Sequence, residues 1–194
     1  VAGAALRDFD SRTAELFFTT PLSRGAYLGG RFAAGYLAAL AVMLACALGV
    51  AVGGLMPWID ATRLGPASWH GYAWAFGVMV VPDMLFIAAL LFLLATTTRS
   101  LLATYIGLIV YFVLNSVVGL LTRDVNNHFI AAMLDPFGGR TLALVTRYWS
   151  ADQANHDLPA LTGVLLFNRV LWSAAGVAML GATVALFRPN REGL

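Results

Sequence analysis

The stretch FAAGYLAALAVMLACALGVAVGGLM, residues 32–56, runs for 25 residues without a charged side chain. As a helix it extends roughly 37 Å, against a bilayer hydrocarbon core of about 30 Å. Working outward, three more such stretches follow. Residues 72–98 are interrupted by Pro82-Asp83, residues 101–121 carry no charge, and residues 161–187 are interrupted by Asn168-Arg169. The composition agrees: 60% hydrophobic and 11% charged, where soluble domains carry roughly 25% charged residues. Mean hydropathy is +0.78. These features predict an all-α integral membrane protein with four transmembrane helices.

Arginine distribution orients the spans. All twelve basic residues are Arg. With the N-terminal segment in the cytoplasm, Arg7, Arg12, Arg24, Arg31, Arg99, Arg188 and Arg191 lie inside. Arg63, Arg123, Arg140 and Arg147 lie outside, with Asp60, Asp124, Asp135, Asp152 and Asp157. Trp58, Trp69 and Trp74 then gather at the outer interface, where indoles prefer to sit. A net charge of +2 is too small to point to nucleic acid. Cys46 is alone, which excludes a disulfide framework and a thiolate metal site; it reads as a small core residue. Gly49 and Gly53 form a GxxxG, read as packing within the chain. Residues 1–6 read as the tail of an apolar helix that begins upstream.

Before the first span lies a different kind of segment. Leu6, Phe9, Thr13, Leu16, Phe17 and Thr20 recur at helical spacing, with Arg7, Asp8, Ser11, Arg12 and Glu15 opposite. That is the pattern of an amphipathic helix, and Pro21 would stop it. On periodicity alone it is either an interfacial anchor or a surface presented to a partner.

The run Thr13-Ala14-Glu15-Leu16-Phe17-Phe18-Thr19-Thr20-Pro21-Leu22-Ser23-Arg24, followed by Gly30-Arg31 and an apolar span, resembles the cytoplasmic coupling loop of type-2 (ABC-2) ABC exporter permeases. Asp8-Phe9-Asp10 stands where that family has a Glu-Arg-Glu cluster, Arg12 where it has Gly, and Arg31 where it has Lys. Leu134-Asp135-Pro136-Phe137-Gly138, Thr146-Arg147-Tyr148-Trp149, Asn155 and Leu166-Phe167-Asn168-Arg169-Val170-Leu171-Trp172 are similar to a bacterial subgroup of these permeases. In that subgroup the permease is often fused to a zinc aminopeptidase-like domain. The resemblance implies that residues 1–31 are a cytoplasmic coupling segment and residues 32–194 a transmembrane domain, covering the second half of one permease unit. It implies ATPase coupling through Asp8, Asp10, Arg12, Thr13, Glu15, Leu16, Thr20 and Pro21. It further implies a partner ABC ATPase subunit, a permease dimer and a bacterial inner membrane. The chain contains no phosphate-binding G-x-x-x-x-G-K-[ST] loop, so ATP is expected on the partner and no cofactor on this chain.

Two charges stand inside spans. A carboxylate at the depth of Asp83 costs at least ~2.5 kcal/mol when unpaired, so it must face protein or a water-filled cavity. Arg169 enters its span from the same side. Asp83 and Arg169 are therefore expected to pair across the bundle, with Asn168 or Asn115 nearby. The pair serves either to fix packing or to handle substrate or protons. Pro82 is expected to kink its helix.

The outer loop, residues 122–160, is too long for a turn. Two apolar segments, 129–134 and 141–149, are split by a break at Asp135, Pro136 and Gly138. Two short helices are expected there, re-entrant or interfacial, with Asp135, Arg140 and Arg147 as salt-linked stabilisers. An intramembrane enzyme requires paired catalytic groups, and none is spaced for the task; H-E-x-x-H is absent. The remaining readings are an ATP-driven permease and a membrane anchor for a fused peptidase-like domain.

Overall fold

The structure is a computed structural model and describes residues 1–4, 6, 23–60, 68–121 and 128–187. The described residues are all-α, with no strand among them. Four helices are long and apolar enough to cross a membrane: α1 (Arg24–Gly53), α2 (Trp69–Thr98), α3 (Leu101–Leu121) and α7 (Gly163–Leu186). Three short helices precede the last: α4 (His128–Met133), α5 (Gly139–Val145) and α6 (Ala151–His156).

Helix α1 starts eight residues before the charge-free stretch, at Arg24 rather than Phe32. Ser23 sets that start: its hydroxyl accepts from the Ala26 N–H at 3.2 Å, capping a free amide of the first turn. Arg24 and Arg31 are thus helical, and the boundary drawn between residues 31 and 32 falls inside a helix. The expected coupling residues Asp8, Asp10, Arg12, Thr13, Glu15, Leu16, Thr20 and Pro21 lie outside the described residues.

The framework is the close pair α2–α7. Ala88 and Ala89 are fully buried on α2, and Gly176 on α7 faces that helix. A Cβ at Gly176 would stand 3.4 Å from Phe86 Cα and 3.5 Å from the Leu85 carbonyl, so the backbones touch where small residues allow it. Helix α1 joins through Phe32, edge-on to Phe92 at 5.6 Å. The Tyr36 hydroxyl also donates to the Val81 carbonyl at 3.0 Å. Ala2 and Leu6, from the described part of residues 1–6, are buried in the same cluster with Tyr27, Leu28 and Phe187.

Pro82 acts by widening its helix. Residues Phe76–Val80 form a π-turn, and the Val81 N–H bonds the Phe76 carbonyl, five residues back. A proline ring clashes with the carbonyl four residues earlier, and the wider turn relieves that contact. Helix α2 then ends at Arg99, whose left-handed backbone (φ 51°) opens the two-residue link to α3. Hydroxyls inside the spans donate to their own helix: Thr96 to Phe92, Thr97 to Leu93, Thr98 to Leu94, and Thr183 to Met179. No hydroxyl in that set needs water in a hydrocarbon setting.

Beyond Tyr36, α1 stands away from the others. Val42, Leu48 and Val50 are exposed, as is Cys46, so Cys46 is no core residue. A Cβ at Gly49 or Gly53 would meet nothing within 4 Å. The GxxxG therefore does not pack within the chain as expected, because the helix diverges before reaching it. Replacing Gly176 by Leu is predicted to destabilise the protein by about 1–3 kcal/mol through overpacking, whereas Gly49→Leu should leave stability unchanged. Thermal unfolding of the detergent-purified variants checks this; equal shifts would contradict the packing.

Candidate functional site

Asp83 follows the π-turn on α2, and Arg169 lies in the second turn of α7. They meet: Arg169 Nη1 donates to Asp83 Oδ1 at 2.7 Å, with Arg169 5% and Asp83 22% exposed at the side chain. Nε and Nη2 of the guanidinium are also engaged. Nε donates to Asn168 Oδ1 at 3.0 Å, and Nη2 to the same oxygen and to the Pro136 carbonyl. An arginine buried at this depth is tolerable only because its donors are matched in a fixed fork.

Asn168 points its amide the other way. Nδ2 donates to the carbonyls of Ala132 (2.8 Å) and Asp135 (2.9 Å), at the end of α4 and in the turn after it. Trp172, one turn along α7, donates from Nε1 to the Met133 carbonyl at 3.0 Å. Thr141 on α5 donates to the Ala132 carbonyl at 2.8 Å. The last carbonyls of a helix have no partner of their own, and these side chains supply them. The α4–α5 hairpin is thus hydrogen-bonded onto the last span.

Asp135 is not the salt-linked residue expected of it. Its carboxylate accepts from the backbone N–H of Phe137 (3.1 Å) and of Arg140 (2.8 Å), holding the turn and capping α5. Arg147 lies over the Tyr148 ring at 5.5 Å, and the Arg140 guanidinium lies against Gly119 of α3. Gly138 has a left-handed backbone (φ 68°), and an added Cβ would run into the Arg169 guanidinium. Both the conformation and the space require glycine. Asn115 takes no part in the cluster's hydrogen bonds; Asn168 supplies the amide.

The turn is wedged by rings. Phe137 stacks on Phe112 (5.9 Å, 3°) and meets Tyr111 edge-on at 6.5 Å. Phe86 lies between Tyr111 (5.7 Å) and Trp172 (5.0 Å). The Tyr111 hydroxyl is the one buried side-chain polar atom without a hydrogen-bond partner among the described residues.

Depth follows from helix rise. Phe112 is nine residues from Leu121, so Phe137 reaches roughly 14 Å below the end of α3. The turn between α4 and α5 therefore lies alongside the middle of α3, while α6 is exposed. A third short helix was not expected, because ADQANH has no apolar period. Its signal is the capping box of Ser150 and Gln153, which exchange both bonds. Trp172 was legible as a neighbour of Asn168 four residues on. Nothing in the sequence marked Tyr111, and Phe137 stood out only as a member of the Leu134-Asp135-Pro136-Phe137-Gly138 run.

Gly138→Ala and Arg169→Gln are each predicted to loosen the hairpin, with deuterium uptake rising across residues 128–145. For Gly138→Ala the left-handed backbone alone costs roughly 1–2 kcal/mol. Gly139→Ala is the control, since its Cβ would meet only Asp135 Oδ2 at an ordinary 3.6 Å. Equal uptake in Gly138→Ala and Gly139→Ala would contradict the account.

No protein-family model, no curated protein and no solved structure matches the chain.

Proposed function

We propose that this chain is membrane-spanning permease sequence of an ATP-driven ABC-type exporter, coupled through residues 8–21 to a separate ATPase subunit. It works as a dimer in a bacterial cytoplasmic membrane, with the α1 start, the α2–α3 link and the end of α7 on the cytoplasmic side. ATP binds the partner, and this chain does no covalent chemistry.

The observation that carries the reading is the start of α1. Thr20-Pro21-Leu22 are followed at once by the Ser23 cap and a 30-residue helix. A force that reaches Ser23 enters a rigid rod of about 45 Å. Two further features support it. Tyr36 and Phe32 link that rod to α2, and α2 carries the Asp83 end of the cluster that holds the hairpin. A path of packed and hydrogen-bonded groups therefore runs from the arginine-rich end to the re-entrant helices.

Charge reversal at Asp10 or Glu15 is predicted to lower recovery of the co-expressed ATPase at least about tenfold, since a like-charge contact in an interface costs several kcal/mol. Membrane insertion should be unchanged. Asp83→Asn, on α2 and outside the docking segment in sequence, should retain the ATPase. Undiminished co-purification of the ATPase with the reversed variants would refute the coupling role.

A further inference from the structure

Tyr111 is the middle residue of α3, and three aromatic rings surround its own. Phe112 stands at 5.5 Å, Phe86 of α2 at 5.7 Å and Phe137 of the hairpin turn at 6.5 Å. Its hydroxyl is closed to solvent and has no hydrogen-bond partner. A polar group in that position destabilises the arrangement that contains it, because its bond to water is lost and nothing replaces it.

The neighbouring charges do not relieve it. The carboxylates of Asp135 and Asp83 are close enough to act on the hydroxyl electrostatically, yet neither accepts from it. Asp135 is committed to the N–H groups of Phe137 and Arg140. Asp83 gives Oδ1 to Arg169, while its Oδ2 accepts no hydrogen bond among the described residues. That oxygen is the acceptor a freed Tyr111 ring would find.

The ring is freed when a neighbour leaves. Phe86 and Phe112 belong to spans and stay with them, whereas Phe137 belongs to the turn between α4 and α5. Those helices have 6 and 7 residues, too few to hold a helical form by themselves. Their order depends on the seat, so leaving it exposes their amides to exchange.

We propose that Tyr111 is a release element for the hairpin. Its unsatisfied hydroxyl opposes the seating of Phe137, against the bonds from Asn168, Trp172 and Arg169 that favour it. The hairpin can then open while the spans stay assembled. The inference stands on the hairpin's seat and not on coupling to an ATPase.

Tyr111→Phe tests it, since the substitution deletes one oxygen and keeps the ring. In the full chain in micelles, deuterium uptake across residues 128–145 should slow about tenfold, the effect of relieving one unsatisfied buried donor. Uptake across α1, α2 and α7 should be unchanged. Tyr105→Phe, at an exposed tyrosine of the same helix, should alter neither. Equal or faster hairpin uptake in Tyr111→Phe would overturn the proposal, because the hydroxyl would then have a partner in the seated state. So would equal slowing across the spans, which would mean a gain in overall stability rather than control of the hairpin.

Discussion

A single guanidinium, that of Arg169, organises the end of the bundle that carries the α4–α5 hairpin. It stands 5% exposed at the side chain in a helix that crosses a membrane, where an unmatched cation is costly. Its donors therefore dictate their surroundings. Asp83 must face α7, Asn168 must turn its oxygen inward, and the Pro136 carbonyl must come down from the hairpin. Glycine must occupy position 138, because the guanidinium fills the space a side chain would need. The α4–α5 hairpin dips inward because its carbonyls find their partners there, on Asn168, Trp172 and Arg169.

The π-turn at Phe76–Val80 fits the same constraint. One extra residue in a turn rotates everything after it by about 100°. Up to the first residue of the turn, Trp69, Tyr72 and Phe76 face α1 across an apolar cleft that also includes Leu44 and Leu48. After it, Asp83 faces α7. Pro82 removes a backbone donor at that point, so the site where the helix changes face is also the site where its regular bonding is interrupted. Elsewhere the spans rely on contact between small residues, and α3 and the far part of α1 expose apolar surface.

Much of this was legible because charge is so costly in a bilayer. Gaps between charges located the four spans, and Asp83 and Arg169, the two charges within them, had to find each other. Boundaries were less legible: α1 reaches back to Arg24 because a serine cap, not the end of an apolar run, starts a helix. Local roles depended on which face a residue turns inward. Asn168 and Asn115 look alike in sequence, yet only the one beside Arg169 enters the network. Asp135 was read as an ion-pair partner, but its carboxylate is taken by two backbone amides that no charge pattern reveals. Cys46 and the Gly49–Gly53 pair were read as packed, which assumed that α1 stays against the bundle along its whole length.

The most direct test of the central claim is a double-mutant cycle on Asp83 and Arg169, using Asp83→Asn, Arg169→Gln and the combined variant, with unfolding free energy measured in one detergent. If the buried pair ties α2 to the last span and fixes the guanidinium on which the hairpin docks, the two substitutions should couple by about 2 kcal/mol or more, in the range of directly interacting buried groups. Additivity within about 0.5 kcal/mol, as for independent sites, would contradict it.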